Sequence, residues 1–153
     1  MLNSLQKNIN ERNVIKVISG INNFQSTQII KICKAADIAQ ATYLDIAANP
    51  HLINTVKQVT KLPLCISTLN PNLIYECLSA GAEIIELGNY DAFYKSQNLF
   101  SEKRVFSISK LIKSLFPEIT ICVTIPHHLS VKKQVYLAQQ LEDLNIDMCA
   151  ICF

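Results

Sequence analysis

Apolar residues recur along the chain in short runs whose period switches repeatedly between that of a strand and that of a helix. Six runs read as strands: Val14–Ser19 (VIKVIS), Thr42–Ala47 (TYLDIA), Leu64–Ser67 (LCIS), Glu83–Leu87 (EIIEL), Thr120–Ile125 (TICVTI) and Ile146–Phe153 (IDMCAICF). The segments between them carry apolar positions three and four apart, the spacing of one helix face. A helix is expected from about Ser26 to Gln40, with Ile29, Ile30, Cys33, Ala36 and Ile38 on its inner stripe. The next opens at Asn49-Pro50, a capping residue followed by Pro in the first turn, and runs to about Thr60. Asn70-Pro71 repeats that signature and opens a third, which ends at Ala80-Gly81 with Gly81 suited to a left-handed C-cap. A fourth spans about Ser101–Leu115 and stops before Pro117, and a fifth about Ser130–Leu144. The one long connection is Gly88–Phe100.

Strand and helix alternating through short connections argue for an α/β domain whose parallel sheet is covered by helices. No linker divides the chain, so residues 1–153 read as a single partial domain. Two architectures fit. One is a (β/α) TIM-barrel-like fold, incomplete at about five and a half β/α units, since a closed barrel needs eight strands and about 250 residues. The other is an open doubly wound parallel sheet. Alternation within the strands favours the barrel. Val14, Lys16 and Ile18, Tyr43, Asp45 and Ala47, Cys65 and Ser67, Ile84, Glu86 and Gly88, and Cys122 and Thr124 share one face, whereas the other face is strongly apolar. The apolar face suits helix packing and the polar face a barrel interior. The first and sixth strands would keep unpaired edges, which a second copy, a further segment or a partner protein would cover.

Charges inside strands that are buried on both faces need a physical reason. Lys16, Asp45 and Glu86 are the candidate catalytic residues, at the strand ends where barrel enzymes place their chemistry. A lysine near carboxylates either binds an anion or, partly desolvated, acts as a base or Schiff-base nucleophile, while a carboxylate exchanges protons next to a carbonyl. Asn49, Ser67, Gly88, Asn89, Asp91, Thr124 and His127 are candidate ligand-binding residues in or just after the strands. Each has a purely structural alternative. The charges can form a satisfied ion network, Asn49 a helix cap, and Gly20 and Gly88 turns. His127 and His128 can form a solvated turn, and His51 an exposed first helical turn.

Composition narrows the classes of partner. Half of the residues are apolar and the net charge is +2, which leaves no electrostatic footprint for nucleic acid. Charge interrupts every apolar run before a membrane span is reached, and MLNSLQKNINERN has neither the apolar core of a secretory signal nor the Arg-rich character of a transit peptide. The six cysteines fall mostly inside strand or helix patterns, as small buried hydrophobes in a reducing compartment do. Cys149 and Cys152 form a C-x-x-C, but in a strand-like run where residues three apart face opposite sides, and no second pair has zinc spacing. Three glycines exclude a dinucleotide fingerprint, and no P-loop occurs, so the cofactor is unknown and no metal motif is present.

The strings VIKVISGINNF, ATYLDIAANP, LPLCIS, AGAEIIELGNYDAFY and ICVTIPH, followed by LAQQLEDLNID, resemble one family from about Val14 to Asp147, in the same order. It is the family of the hypothetical plastid reading frame numbered twenty-three, encoded in red-algal and related plastids and in cyanobacteria. The resemblance implies a TIM-barrel-like fold and residence in the plastid stroma, or the cytoplasm of a cyanobacterium. It implies no established activity, and supplies no catalytic residues to carry over. Family members continue through more β/α units where this chain ends at MCAICF, which reads as a C-terminal truncation. Three functions follow as expectations: binding or transformation of a small anionic metabolite at the carboxyl ends of the strands, a non-catalytic interaction or regulatory scaffold, or an inactive truncated product.

Overall fold

The structure is a computed structural model and describes residues 2–88 and 101–151. It divides into two compact units, Met1–Ile84 and Ile85–Phe153.

The first unit opens with helix α1 (Leu2–Asn10) and then alternates β1 (Lys16–Ile18), α2 (Ser26–Ile38), β2 (Tyr43–Ala47), α3 (Pro50–Lys57) and β3 (Leu64–Ser67). A 3₁₀ turn (Pro71–Leu73) leads into α4 (Ile74–Ser79), and β4 (Ile84–Leu87) begins as the unit ends. Parallel ladders join β1 to β2, with Lys16 opposite Tyr43 and Ile18 opposite Asp45, and β2 to β3, with Asp45 opposite Cys65 and Ala47 opposite Ser67. The Glu83 N–H donates to the Leu64 carbonyl at 2.8 Å, so the chain approaches β4 beside β3. A doubly wound sheet of order 3-2-1-4 would instead place the fourth strand beside the first. The sequential order is that of a (β/α) barrel.

Every residue of β2 and β3 is buried, as a parallel sheet covered on both faces requires. Ile29, Cys33 and Ala36 of α2 and Leu52, Ile53 and Val56 of α3 form the buried stripes of the two helices. With Leu44, Ile46, Leu64 and Ile66 they make up much of the apolar core. The Asn49 side chain accepts the Leu52 N–H at 3.0 Å and Pro50 occupies the first turn of α3, as expected from the sequence. Helix α1 was not expected: Leu5 and Ile9 carry its apolar stripe among residues of modest helix propensity.

The second unit holds the rest of β4, α5 (Glu102–Leu115), β5 (Thr120–Ile125), α6 (Val131–Asp143) and β6 (Met148–Ile151). β5 and β6 pair in parallel, with Cys122 opposite Met148 and Ile125 opposite Ile151. Helices α5 and α6 pack together, and Val105, Ile112, Leu137 and Leu141 supply their buried positions. Ser109 is fully buried in α5 because its hydroxyl donates to the Val105 carbonyl at 2.8 Å. Asp147 ties the foot of β6 to its neighbours, accepting the Ile121 N–H at 2.9 Å and pairing with Lys113 at 3.4 Å.

Four helices leave by one device. Arg12 N–H bonds to the Ile9 carbonyl and Asn13 N–H to that of Asn8; Gln40 bonds to Asp37 and Ala41 to Ala36. Gly81 bonds to Leu78 and Ala82 to Cys77; Asn145 bonds to Glu142 and Ile146 to Leu141. This is the paired 5→2 and 6→1 pattern of the Schellman motif, and each left-handed residue has positive φ: Arg12 56°, Gln40 54°, Gly81 107° and Asn145 55°. The sequence signal found Gly81 and passed over the three that are not glycine.

Candidate functional site

In the first unit three of the expected residues come together. Lys16 is the first residue of β1, and its side chain leans toward the carboxyl end, reaching Asp45 two residues beyond its own register partner. Lys16 Nζ lies 2.8 Å from Asp45 Oδ2, with the lysine side chain 18% exposed and the aspartate side chain 3%. Ser67, at the end of β3, donates its hydroxyl to Asp45 Oδ1 at 2.7 Å. Both oxygens of the buried carboxylate are therefore engaged, one by a cation and one by a hydroxyl, the arrangement that makes burial of a charge tolerable. The alternating pattern of the strands produces this meeting, because Lys16, Asp45 and Ser67 all lie on the face that the apolar helix-covered residues leave.

Three further groups border the cluster, none of them among the candidate site residues read from the sequence. The Tyr43 ring lies below the ammonium, 6.0 Å from its centroid to Lys16 Nζ, and Tyr43 is buried. Ser19 follows β1 and donates its backbone N–H to the Asp45 carbonyl at 2.8 Å. Its hydroxyl is buried and lacks a hydrogen-bond partner among the described residues. Cys65 stands opposite Asp45 in the ladder and is buried. A thiol and a carboxylate are donor types that a zinc ion accepts, but here the carboxylate is already held by Lys16 and Ser67.

The second unit holds Glu86 of β4 and Thr124 of β5. Both are buried, and the Thr124 hydroxyl donates to Glu86 Oε1 at 3.1 Å. His127 and His128 are exposed in the turn after β5, their rings 6.5 Å apart and edge to face, and the His127 carbonyl accepts from the Gln134 amide at 3.2 Å. Gly88 is buried just past β4. Asn49 is occupied as the cap of α3. Asn89, Asp91, Cys152 and most of the long connection lie outside the described residues. Gly20 sits at φ +105°, so a turn requirement accounts for it.

Two thiols show what burial does in this core. Burial, reinforced by Asp37, pushes the Cys33 thiol up to about 11, and burial with Glu76 does the same for Cys77, so both are inert side chains at neutral pH. Among the described residues no helix is long and apolar enough to cross a membrane.

Solved structures share this fold. A deoxyribose-phosphate aldolase homologue from Toxoplasma gondii ME49, described as putative, superposes with a TM-score of 0.69 at 16% identity over 99% of this chain and 65% of its own. The protein described as QR15, an aldolase, does so with a TM-score of 0.67 at 13% identity over 90% and 65%. At such identities the likeness establishes the TIM-barrel-type fold, of which the described residues hold six strands. Among relatives, the uncharacterized protein ycf23 of Antithamnion sp. is 44% identical over 146 residues, covering 95% of this chain and 53% of the relative. That of Cyanophora paradoxa is 44% identical over 149 residues, covering 97% and 61%. The chain thus spans between half and two thirds of the length of these plastid-encoded relatives. Residues 1–151 also match the model of a protein family of unknown function, DUF561. The chain belongs to the DUF561 family and is a homologue of the ycf23 proteins.

Proposed function

We propose that the protein binds and transforms a small, anionic carbonyl metabolite in the plastid stroma, with Lys16 addressing the carbonyl. The observation that carries this reading is the buried Lys16–Asp45–Ser67 arrangement on adjacent parallel strands. Asp45 holds the Lys16 side chain in place, so the pair presents a positioned amine to a carbonyl. Proton transfer from Lys16 to Asp45 gives a neutral amine beside a carboxylic acid. The amine nitrogen attacks a carbonyl carbon, one nitrogen proton is relayed through Asp45 to the oxygen, and Asp45 delivers a second proton as the carbon–oxygen bond breaks, so that a protonated imine, water and the Asp45 carboxylate are the products. Ser67 holds Asp45 in the orientation this exchange needs. Several solved structures of the same fold are named as aldolases or as a heptulosonate-phosphate synthase, proteins whose names denote carbonyl substrates. That agreement supports the chemical class and nothing finer.

The test is reductive trapping. The chain is incubated with pyruvate or dihydroxyacetone phosphate, reduced with borohydride, digested and analysed by mass spectrometry. The expected result is a secondary-amine adduct on the peptide containing Lys16, absent in Lys16→Arg, which keeps the charge but cannot form the imine. Adducts spread over exposed lysines with none at Lys16 would sink the reading.

A second reading, an interaction scaffold, has one observation in its favour. Ile18 of β1 is 61% exposed and Ile151 of β6 is 51% exposed. Strands that leave isoleucine in solvent are suited to cover by a second copy or a partner protein. Sedimentation of the purified chain tests this: a monomer with no partner recovered from stroma removes it.

A further inference from the structure

At the amino ends of its strands the first unit has a cavity of about 400 Å³, within the range of roughly 300–1,000 Å³ that small-molecule sites occupy. It is walled by α1 and by the connections that lead into β1, β2 and β3. These are the segments that precede the strands, whereas Ser67 closes the carboxyl end of β3, so the cavity is a different place from the lysine–aspartate cluster.

The floor is apolar and fixed. Leu5 and Ala41 are buried there. The Thr42 N–H donates to the Ile15 carbonyl at 2.8 Å, and the Thr42 hydroxyl accepts the Ile15 N–H at 2.9 Å. Above the floor the lining turns polar. Three carboxamide residues line it: Asn8 from α1, Asn13 from the exit of α1 and Gln40 from the exit of α2. Two of those walls are the Schellman turns at Arg12 and Gln40, whose backbone bonds satisfy the terminal carbonyls and set the positions of Asn13 and Gln40. Among the described residues the lining contains no carboxylate, and its one formal charge is Lys61.

We infer that this amino-face cavity is a second ligand site, which takes a small polyhydroxylated acid. Carboxamides supply both donors and acceptors, the combination that matches hydroxyl groups, which also do both. The ammonium supplies the attraction for a single acidic group, carboxylate or phosphate. The apolar floor accepts the carbon face of such a molecule. The site does not depend on the chemistry proposed for Lys16, and either can fail alone.

The experiment is a titration of the ¹⁵N-labelled chain with gluconate, with ribose 5-phosphate and with neutral ribose, followed by amide chemical shifts. The expected result is binding of at least one acid with a Kd of about 1 mM or tighter, with neutral ribose at least about tenfold weaker. The shifts should centre on Asn8, Gln40 and Thr42 rather than on Asp45 and Ser67. Lys61→Met should weaken the acid by about tenfold, and Gln40→Ala should weaken it measurably, with the spectrum otherwise preserved because both side chains are exposed. Which acid binds separates a carboxylate from a phosphate site. Binding of neither acid, equal binding of ribose, shifts centred on Asp45, or an unchanged Kd in Lys61→Met would each overturn the inference.

Discussion

Lys16 and Asp45 meet across the β1–β2 ladder at 2.8 Å, although Lys16 stands in register with Tyr43 and Asp45 with Ile18. The lysine spans that offset with its side chain, so a single mid-strand aspartate gathers a cation from one neighbouring strand and a hydroxyl from the other. The consequences can be measured one residue at a time.

Removing the cation alone leaves a buried, unneutralised carboxylate, a change that costs about 3–5 kcal/mol for well-buried pairs. Lys16 keeps some solvent contact, so Lys16→Met should lower unfolding free energy by about 2–3 kcal/mol in urea titrations. Adding Asp45→Leu should restore more than half of the loss. If the double variant is no more stable than Lys16→Met, the pair is not the energetic unit described.

Ser67→Ala removes a neutral donor from the same carboxylate. The expected loss is about 1–2 kcal/mol, smaller than for Lys16→Met, since one oxygen loses its bond while the charge remains paired. Equilibrium unfolding of the two variants under one buffer gives the ranking.

The helix exits predict opposite signs for two substitutions. Gly81→Ala places a methyl 3.3 Å from Lys57 Cε at φ +107°, so it should destabilise by about 1–2 kcal/mol and disturb the Lys57–Glu83 ion pair. Gln40→Gly relieves a left-handed glutamine at φ +54° and should raise stability by up to about 1 kcal/mol. Differential scanning calorimetry reports both.

The buried thiols predict reactivity and pH dependence. At pH 8 iodoacetamide should label exposed Cys149 well before Cys33 and Cys77, which should react only after denaturant is added. Cys33 and Cys77 hold their protons more tightly folded, at about 11, than the ordinary value of 9.0. The folded state binds more protons between those values, so their contribution to stability is complete below pH 9 and is lost as pH rises toward 11. The slope above pH 9 should flatten in a Cys33→Ala, Cys77→Ala variant.

Much of this was legible in the residues because burial leaves a periodic trace. Tyr43, Asp45 and Ala47 alternate with Leu44 and Ile46, which is enough to assign faces, and Asn49-Pro50 marks a helix start by cap chemistry that needs no partner. Strand ends were less legible. VIKVIS reads as six residues, but β1 is Lys16–Ile18, since ladder bonds to β2 and not apolar content define its length. Helix α1 lacked the dense apolar stripe that makes a helix visible. The pairing of Lys16 with Asp45 was expected as a shared face, but the diagonal reach, the Ser67 hydroxyl on the other oxygen and the Tyr43 ring depend on rotamers that no alternation specifies. The amino-face cavity had no sequence signal, for it is made by three connections that are far apart in the chain.

The helix exits carry one more consequence. What recurs from unit to unit is a pair of backbone hydrogen bonds, and the residue at the turn varies among Arg12, Gln40, Gly81 and Asn145. A search of related chains for a repeating glycine would find one exit in four and miss the internal repetition. Tolerance at the turn leaves that position open to selection for something other than the turn, and at Gln40 it lets the residue that ends a helix also furnish a wall of a cavity.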